Sequence, residues 1–272
     1  MQKFSYHTHT NTFDVYDGNN SAKEMVERAE EIGYTELGIS NHFSYHHNML
    51  PIYPMYFNDI KIFEDTMLRT VDCIREDTIN AGIKVYVGFE VDFFTSPRWL
   101  DAFERIKEKL NADYYIGSCH FLVDNDAEKI HSFYYPSKYD KALTPKFVQN
   151  GLENYWINMV AAIESGYFDF IAHLDVYKLF ERFRKFECME GRLKAIEAFG
   201  KFKMPYELNT SGFTKCGEQH PCKWMMNELN KRDVPIVISD DAHHISSLGA
   251  HYDKAEKLLE SLNYKHRWSM KK

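Results

Sequence analysis

Residues 3–10 read Lys3-Phe4-Ser5-Tyr6-His7-Thr8-His9-Thr10, and the rest of the chain is organised around this stretch. Phe4 and Tyr6 are typical of a short β-strand, and His7 and His9 follow at a spacing of two. In an extended strand, residues two apart point to the same side, so we expect both imidazoles to face one spot. Imidazole is a common metal ligand near neutral pH. The pair therefore suggests part of a metal site, although two histidines can also serve solubility or hydrogen bonding.

The same pattern, a strand-like run followed by a polar side chain with a nitrogen or oxygen donor, recurs along the chain. Further strands are predicted at 36–40, 84–89, 113–118, 168–172, 205–209 and 234–239. Helical patterns separate them, at about 23–32, 58–80, 98–110, 145–165, 223–231 and 254–262, with another helix between the fifth and sixth strands. The segment 122–144 is polar and predicted to be irregular, and together with the loop 46–57 it is expected to wall a pocket.

Alternation of strands and helices predicts a parallel sheet, because strands of the same sense need crossover helices. No linker rich in Pro, Gly or Ser divides the chain. The sequence therefore predicts an α/β fold, a distorted seven-stranded (β/α)7 TIM-like barrel, as a single domain over residues 1–272. Barrel enzymes place their sites at the C-terminal ends of the strands, where the donor side chains fall.

The composition narrows the classes of function. The 33 basic and 40 acidic residues leave a formal charge of -7, which argues against a protein that binds a nucleic-acid backbone. No run approaches the roughly 20 apolar residues that span a bilayer, so no membrane partner is expected. The N-terminus has no pattern of a signal or transit peptide. Five cysteines without a Cys-x-x-Cys pair fit free thiols in a reducing cytoplasm, the expected location.

Nine donor residues are predicted to meet at one rim of the barrel. They are His7, His9, Asp17, His42, Glu90, His120, His173, Asp241 and His243. Each alone has an ordinary alternative, such as a hydrogen-bonded histidine or a capping carboxylate. Together they would repel or titrate one another unless cations held them. Imidazoles and carboxylates without thiolates suit zinc, iron or manganese, and strand alternation directs Cys119 away from the rim.

These donors stand in motifs of a known family. The motifs are His7-Thr8-His9, Asp17-Gly18, His42 after the second strand, Gly88-Phe89-Glu90, Gly117-Ser118-Cys119-His120, Ala172-His173 and Asp241-Ala242-His243. In this order, over almost the entire chain, they resemble the polymerase and histidinol phosphatase (PHP) superfamily of metal-dependent phosphoesterases. The resemblance implies a distorted seven-stranded barrel that holds two to three divalent metal ions.

Longer motifs are most similar to those of the histidinol-phosphate phosphatases. They cover 88–93, 117–121, 168–175 and 207–212. The resemblance implies hydrolysis of L-histidinol phosphate to L-histidinol and phosphate, a step of histidine biosynthesis, by a metal-bridging hydroxide. Two alternatives stay open: the same chemistry on another small phosphate ester, such as a sugar phosphate or a nucleotide, and a non-catalytic metal-binding PHP module.

The resemblance also implies roles for single residues. His7, His9, Glu90 and Asp241 would hold one metal, and Glu90 would bridge to a second held with His120 and His173. Asp17, His42 and His243 would hold the third, with Glu90 and Asp241 as the bridging or orienting ligands. Asp14 and Asp240 are flanking carboxylates, read as caps or solvated groups. The remaining histidines are left outside the ligand set: His46, His47, His131, His220, His244, His251 and His266.

A phosphate monoester substrate needs positive charge around its phosphoryl oxygens. Four cations near the predicted strand ends are candidates for substrate binding: Lys178, Arg182, Arg184 and Lys215. Each could equally be a solvated surface charge. The sequence names no proton donor for the leaving alcohol and leaves the oligomeric state open.

Overall fold

Seven parallel strands form the central sheet of this protein. A computed structural model describes residues 2–136, 138, 141 and 143–270. Along the chain the strands are β1 (Phe4–Ser5), β2 (Glu36–Phe43), β3 (Lys84–Asp92), β4 (Tyr114–Ser118), β5 (Phe121–Val123), β6 (Ile130–Ser132), β7 (Phe170–Ile171), β8 (Tyr206–Asn209) and β9 (Ile236–Ser239). The sheet has the order β1-β2-β3-β4-β7-β8-β9, while β5 and β6 pair separately.

Helices follow the strands and cover the outside of the sheet. They are α1 (Ala22–Glu31), α2 (Ile60–Asp77), α3 (Pro97–Lys109), α4 (Pro145–Ser165), α5 (Glu181–Arg184), α6 (Met189–Phe202), α7 (Ser211–Lys215), α8 (Lys223–Asn230) and α9 (Tyr252–Ser261). Short 3-10 turns lie at Thr12–Asp14, Val176–Leu179 and Ile245–Ser247. No helix in the described part of the chain is both long and apolar enough to cross a membrane.

Local sequence explains where the helices begin and end. Helix α1 starts with a capping box, in which the Ser21 side chain accepts from the Glu24 backbone N–H and the Glu24 carboxylate accepts from the Ser21 N–H. Helix α4 begins with Thr144 as its N-cap and Pro145 in its first turn. It ends at Gly166, whose φ of 68° is a left-handed conformation that glycine adopts at little cost.

The seam between β1 and β9 nearly closes the sheet into a barrel. At its upper end, the His9 N–H donates to the Ala242 carbonyl at 2.9 Å. Lower down, the Gln2 side-chain amide pairs with the Ile238 backbone, donating to its carbonyl at 2.6 Å and accepting from its N–H at 3.2 Å. The chain after α9 covers the same seam. The Trp268 N–H donates to the carbonyl of Ile236 on β9 at 2.8 Å, and the Trp268 ring lies 5.9 Å from that of Tyr6, just after β1. The predicted seven-stranded barrel is confirmed.

Strand alternation separates two environments. On β3, Val87 and Phe89 belong to the large apolar cluster that packs against the helices, whereas Tyr86 belongs to a separate cluster inside the barrel. We call this second cluster the lower interior. Its members are Phe4, Tyr6, Tyr86, Tyr114, Ile116, Phe170, Ala172, Val237, Trp268 and Met270. The predicted packing role of Cys119 is confirmed, because its side chain lies buried in the cluster against the helices.

Two parts of the fold differ from the sequence-based prediction. The segment predicted to be irregular contains the antiparallel pair β5–β6, in register Phe121↔Ser132. Each of its strands has only three residues, which is too short for a period-two pattern to show. The regular part of β1 stops at Ser5, before the predicted strand ends. Tyr6 belongs to the lower interior, whereas His7, the next residue, does not.

Candidate metal centre

The nine predicted donors converge at the C-terminal end of the barrel. Two lie within strands, His42 on β2 and Glu90 on β3, and Asp17 lies on the loop before α1. The other six follow a strand end, and these are His7, His9, His120, His173, Asp241 and His243. Because parallel strands end at the same rim, residues far apart in sequence meet there. We call this set the upper interior.

Glu90 is the centre of the upper interior. Its carboxylate is 1% exposed, and its Oε1 lies 2.7 Å from His173 Nε2 and 3.5 Å from His120 Nε2. Its Oε2 lies 3.1 Å from His42 Nδ1 and 3.3 Å from His7 Nε2. Oε2 also lies 3.6 Å from His9 Nε2, so the two carboxylate oxygens face different sets of imidazoles.

Two further carboxylates extend the cluster toward solvent. Asp241 Oδ1 lies 3.2 Å from His9 Nε2 and 3.5 Å from His243 Nδ1. Asp17 bonds His243 Nε2 at 3.2 Å through Oδ2, and its Oδ1 is 3.5 Å from His42 Nε2. Asp241 has a φ of 51°, a left-handed conformation that is uncommon for residues other than glycine and is found at functional sites.

The arrangement of donor atoms fits divalent metal ions. Four overlapping groups have donor atoms within 4.8 Å of one another: His7, Glu90 and His173; His7, His9 and Asp241; His42, Glu90 and His120; and His9, Asp17, His42 and His243. Two ligand atoms that each lie about 2.1 Å from one ion are themselves separated by about 3 to 3.5 Å. Most contacts around Glu90 and Asp241 are of this size, and the 2.7 Å contact between Glu90 and His173 is shorter.

Unpartnered buried atoms give the same indication. His7 Nε2, both ring nitrogens of His9, His42 Nδ1 and both carboxylate oxygens of Glu90 are buried without a hydrogen-bond partner in the described chain. Leaving one such group unsatisfied costs about 1 to 3 kcal/mol, so a cluster of them calls for a ligand.

The pKa values of His9 and Glu90 favour the protonation states that metal ligands have. Burial together with His243 and His42 lowers the pKa of His9 to about 3, which keeps this ring neutral. Burial alone would raise the pKa of Glu90, but His7, His120, His42 and His173 hold it well below its ordinary value. Neutral imidazole and ionised carboxylate are the forms that bind metals.

Two buried carboxylates behind the donors orient them. Glu207 Oε1 lies 2.7 Å from His7 Nδ1, and its Oε2 accepts from the His173 backbone N–H at 2.9 Å. Asp92 Oδ1 lies 2.9 Å from His120 Nδ1. A carboxylate on the second ring nitrogen fixes the tautomer, so the other nitrogen points a lone pair into the site.

The sequence-based reasoning assigned no role to Glu207 or Asp92, although both lie in the motifs that carry the resemblance. A signal for each was present. Asp92 follows Glu90 at a spacing of two on one strand, which places both on the same face. Glu207 is a carboxylate within a short, otherwise buried strand, where an ionised group needs a partner.

A cavity of about 430 Å³ opens above the donors. Asp17, His42, His120, Asp241 and His243 line its floor. Its walls include the side chains of Tyr53, Met55, Tyr56, Tyr134, Thr210, Ser211, Thr214 and Lys215. Residues of the loop 46–57 therefore line the cavity as expected. From the segment 122–144, Tyr134, just after β6, lines it as well.

The structure brings one of the four candidate substrate-binding cations to this cavity. Lys215 lines it, with Nζ 3.3 Å from Asp241 Oδ2. Lys178 is buried elsewhere and pairs with Asp175 at 2.9 Å. Arg184 donates from Nε to the Lys178 carbonyl at 2.6 Å, and Arg182 donates to the Phe133 carbonyl at 2.7 Å. These three follow His173 closely in sequence, but the turn at 176–179 carries them away from the cavity.

The flanking carboxylates lie outside the four groups of donors. Asp240 accepts from the Ser5 hydroxyl at 2.8 Å and from the Gly249 N–H at 2.6 Å, and burial raises its pKa to about 7. Asp14 belongs to the 3-10 turn at Thr12–Asp14.

Comparisons with known proteins agree with this architecture. A family model described as the PHP domain matches residues 5–211. The histidinol-phosphatase of Bacillus subtilis is 25% identical over an alignment of 288 residues, covering 93% of this chain and 98% of the relative.

Two solved structures share the fold. One is a candidate histidinol phosphatase from Listeria monocytogenes, with a TM-score of 0.72 and 19% identity over 92% of this chain and 99% of that one. The other is a histidinol phosphate phosphatase from Lactococcus lactis complexed with zinc, L-histidinol and phosphate, with a TM-score of 0.68 and 14% identity over 98% of this chain and 95% of that one. With the family match over most of its length and the donor set at the rim of its barrel, the chain belongs to the PHP domain family.

Proposed function

We propose that this protein is a metal-dependent phosphoric monoester hydrolase that converts L-histidinol phosphate to L-histidinol and phosphate. The observation that carries the hydrolase is the set of nine donors, of which all but Asp17 are buried or half-buried, beneath a cavity of about 430 Å³. The names of the similar proteins support the substrate: the Bacillus subtilis relative is a histidinol-phosphatase, and the Lactococcus lactis structure contains zinc, L-histidinol and phosphate.

The nine donors would hold two to three divalent ions, of zinc, iron or manganese. Glu90 is the bridging candidate, because its two oxygens face different sets of imidazoles. Asp241 lies between His9 and His243 and is placed to share a second position. Bound divalent ions supply an acidified water and positive charge for phosphoryl transfer to water. Glu207 and Asp92 keep the rings of His7 and His120 oriented for this purpose.

Lys215 is the cation we assign to the substrate phosphate. Burial alone would lower its pKa, but Asp241 raises it above the ordinary value, so the ammonium stays charged. The hydroxyl groups of Ser211 and Thr214 line the same cavity, where they bond Asn209 Oδ1 at 2.7 Å and His251 Nε2 at 2.9 Å. Turned from these partners, they can donate to phosphoryl oxygens. Fixed donors and positive charge on these oxygens stabilise the charge that develops as the phosphate ester is attacked.

The aromatic part of the cavity lining suits the organic part of the substrate. Tyr53, Tyr56 and Tyr134 present aromatic rings to the cavity, with the Met55 thioether beside them. Aromatic and thioether groups pack well against a flat heteroaromatic ring such as imidazole. A sugar phosphate would place hydroxyl groups against this part of the lining and would gain less from it.

An assay of phosphate release, on protein whose metal content has been measured, tests this proposal. L-Histidinol phosphate should be hydrolysed in strong preference to sugar phosphates and nucleotides. His9→Ala should lose both activity and bound metal. His244→Ala is the matched control, because His244 is an exposed neighbour of His243 outside the four donor groups, and it should keep both.

Each other outcome has a defined meaning. A preference for a different ester with the same metal dependence would overturn the substrate and keep the hydrolase. Metal-loaded protein that hydrolyses none of these esters would overturn the hydrolase, and the alternative of a non-catalytic metal-binding module would replace it.

A further inference from the structure

A second cavity of about 200 Å³ lies beside the metal centre and shares no lining residue with the first. We call it the lateral cavity. Its lining residues are Asp175, Tyr177, Lys178, Arg184, Arg192, Cys216, Glu218 and Cys222. Three cations, two carboxylates and two thiols therefore surround a space large enough for part of a small molecule.

Cys216 stands at the end of a hydrogen-bonded chain of thiol, imidazole and carboxylate. Its Sγ lies 3.4 Å from the Glu218 carbonyl oxygen and 3.9 Å from His220 Nε2. On the other side of the ring, His220 Nδ1 lies 2.9 Å from Asp175 Oδ1. The Asp175 carboxylate also pairs with Lys178 at 2.9 Å. A carboxylate that accepts from Nδ1–H leaves the lone pair of the imidazole on Nε2, directed at the thiol. This is the arrangement in which a histidine removes a proton from a nucleophile.

The charges around the lateral cavity favour an anion. Lys178 Nζ is neutralised by Asp175 and lies 3.0 Å from Glu218 Oε1. Arg184 and Arg192 form no ion pair with a carboxylate of the described chain. Arg192 Nε is also buried without a hydrogen-bond partner among the described residues. The guanidinium groups of Arg184 and Arg192 line the lateral cavity together with both thiols, and they attract negatively charged molecules into it.

Another thiol in the same chain has the opposite surroundings. Cys73 on α2 is partly buried like Cys216, but its Sγ lies 3.9 Å from Asp77 Oδ2. No imidazole of the described residues contacts it, and burial with Asp77 and Glu76 raises its pKa. Cys73 is therefore an internal control of similar exposure and opposite local charge.

We propose that Cys216 is a modification site that exchanges with disulfides of anionic low-molecular-weight thiols and forms a mixed disulfide in the lateral cavity. His220 Nε2 takes the proton of Cys216, and Sγ attacks one sulfur of the disulfide. A new S–S bond forms as the old one breaks, and the released thiolate takes up a proton. The incoming disulfide is the oxidant, so the exchange is balanced without another reagent.

The site has a consequence for catalysis that rests on the proposed function. Cys216 directly follows Lys215, and the short helix α7 connects the wall of the upper cavity to the lateral cavity. An adduct on Cys216 would displace the turn that holds Lys215 and weaken phosphate hydrolysis.

The test compares an anionic and a cationic disulfide. Full-length protein with Cys222→Ser is treated with oxidised glutathione or with cystamine, and adducts on Cys216 and Cys73 are measured in one sample by peptide mass spectrometry. Cys222 is the N-cap of α8, a position that serine favours, so this variant keeps the fold and removes the second thiol of the cavity. With rates normalised to free cysteine, Cys216 should prefer glutathione disulfide about tenfold and Cys73 should not. Equal preference at both thiols would overturn the proposal.

Paired substitutions test the charge directly. Arg184→Gln removes a cavity cation from a side chain that is largely exposed, and Lys185→Gln removes its exposed neighbour, which does not line the lateral cavity. The first should slow glutathione labelling of Cys216 about threefold or more, and the second should leave it unchanged. An equal effect of both would reduce the proposal to a general surface potential and overturn it.

The readout by mass does not depend on phosphatase activity. Labelling at Cys216 with no turnover of any ester would therefore sink the proposed function and leave the modification site standing. Labelled protein that hydrolyses its substrate as fast as unlabelled protein would overturn the link from Cys216 to Lys215.

Discussion

Strand β3 places Tyr86 in the lower interior and Glu90 in the upper interior, so one strand serves two opposite environments. The lower interior is packed with aromatic rings: Tyr6 lies against Tyr86 at 5.8 Å and against Trp268 at 5.9 Å between ring centroids. The upper interior instead collects imidazoles and carboxylates, and buried atoms of His7, His9, His42 and Glu90 lack hydrogen-bond partners among the described residues.

The difference shows that the barrel separates stability from chemistry along its axis. Apolar burial in the lower interior contributes folding free energy without any ligand. The unpartnered donors of the upper interior cost folding free energy until cations occupy them. Substitutions in the upper interior should therefore reduce activity and metal binding with little loss of stability, whereas substitutions in the lower interior should reduce stability and leave metal binding unchanged.

Glu90→Gln should give the largest effect, confined to the upper interior. The amide has one oxygen and no charge, so it cannot replace the two anionic oxygens of Glu90. We expect hydrolysis to fall at least about a thousandfold, roughly 4 kcal/mol in activation free energy. Metal analysis should show fewer bound ions, and circular dichroism should show a folded protein. Activity within tenfold of the wild type would mean that Glu90 is not a bridging ligand.

Phe170→Ala tests the lower interior. The ring is fully buried and lies 5.3 Å from that of Trp268, so its loss should lower the free energy of unfolding by about 3 to 4 kcal/mol. Denaturant unfolding measures this, and metal content at saturating metal should stay unchanged. Phe147→Ala, at a ring that is 40% exposed, is the control and should change stability by less than about 0.5 kcal/mol. Loss of metal in Phe170→Ala would show that the two regions are coupled.

Glu207→Gln should have the smallest effect, and it tests whether Glu207 orients a metal ligand or is one itself. Glu207 bonds the ring of His7 but lies outside the four donor groups, so we expect metal affinity to fall about 10- to 100-fold with the number of sites unchanged. A titration of the metal-free protein with zinc distinguishes affinity from stoichiometry. A decrease in the number of bound zinc ions would show that Glu207 is itself a metal ligand.

The sequence carried much of this architecture because its signals were local and repeated. Each strand of the sheet gave an apolar run, and donors at the ends of those runs predicted one rim. Groups that act through a partner far along the chain were harder to recognise. Glu207 contacts His7 across 200 positions, and the bond from Gln2 to Ile238 spans 236. No short-range pattern encodes such pairs.

Nearness in sequence to a donor residue does not predict which cations reach the upper cavity. Lys178 follows His173 by five residues, but its ammonium pairs with Asp175 and Glu218 in the lateral cavity. Lys215 lies 42 positions after His173 and is the one of the four candidates that reaches the upper cavity. The direction that the chain takes after a strand depends on tertiary hydrogen bonds. The sequence pattern does not show these bonds.

The seam between β1 and β9 also bears on solubility. Ile236 has its backbone N–H and C=O bonded by His266 and Trp268, and the Arg267 side chain pairs with Glu256 of α9. Release of residues 266–270 would leave β9 with free hydrogen-bonding groups next to exposed aromatic surface. An unpaired edge strand of this kind is a template for self-association. The few residues that bridge the seam thus serve as protection against aggregation, at the end of the barrel farthest from the metal centre.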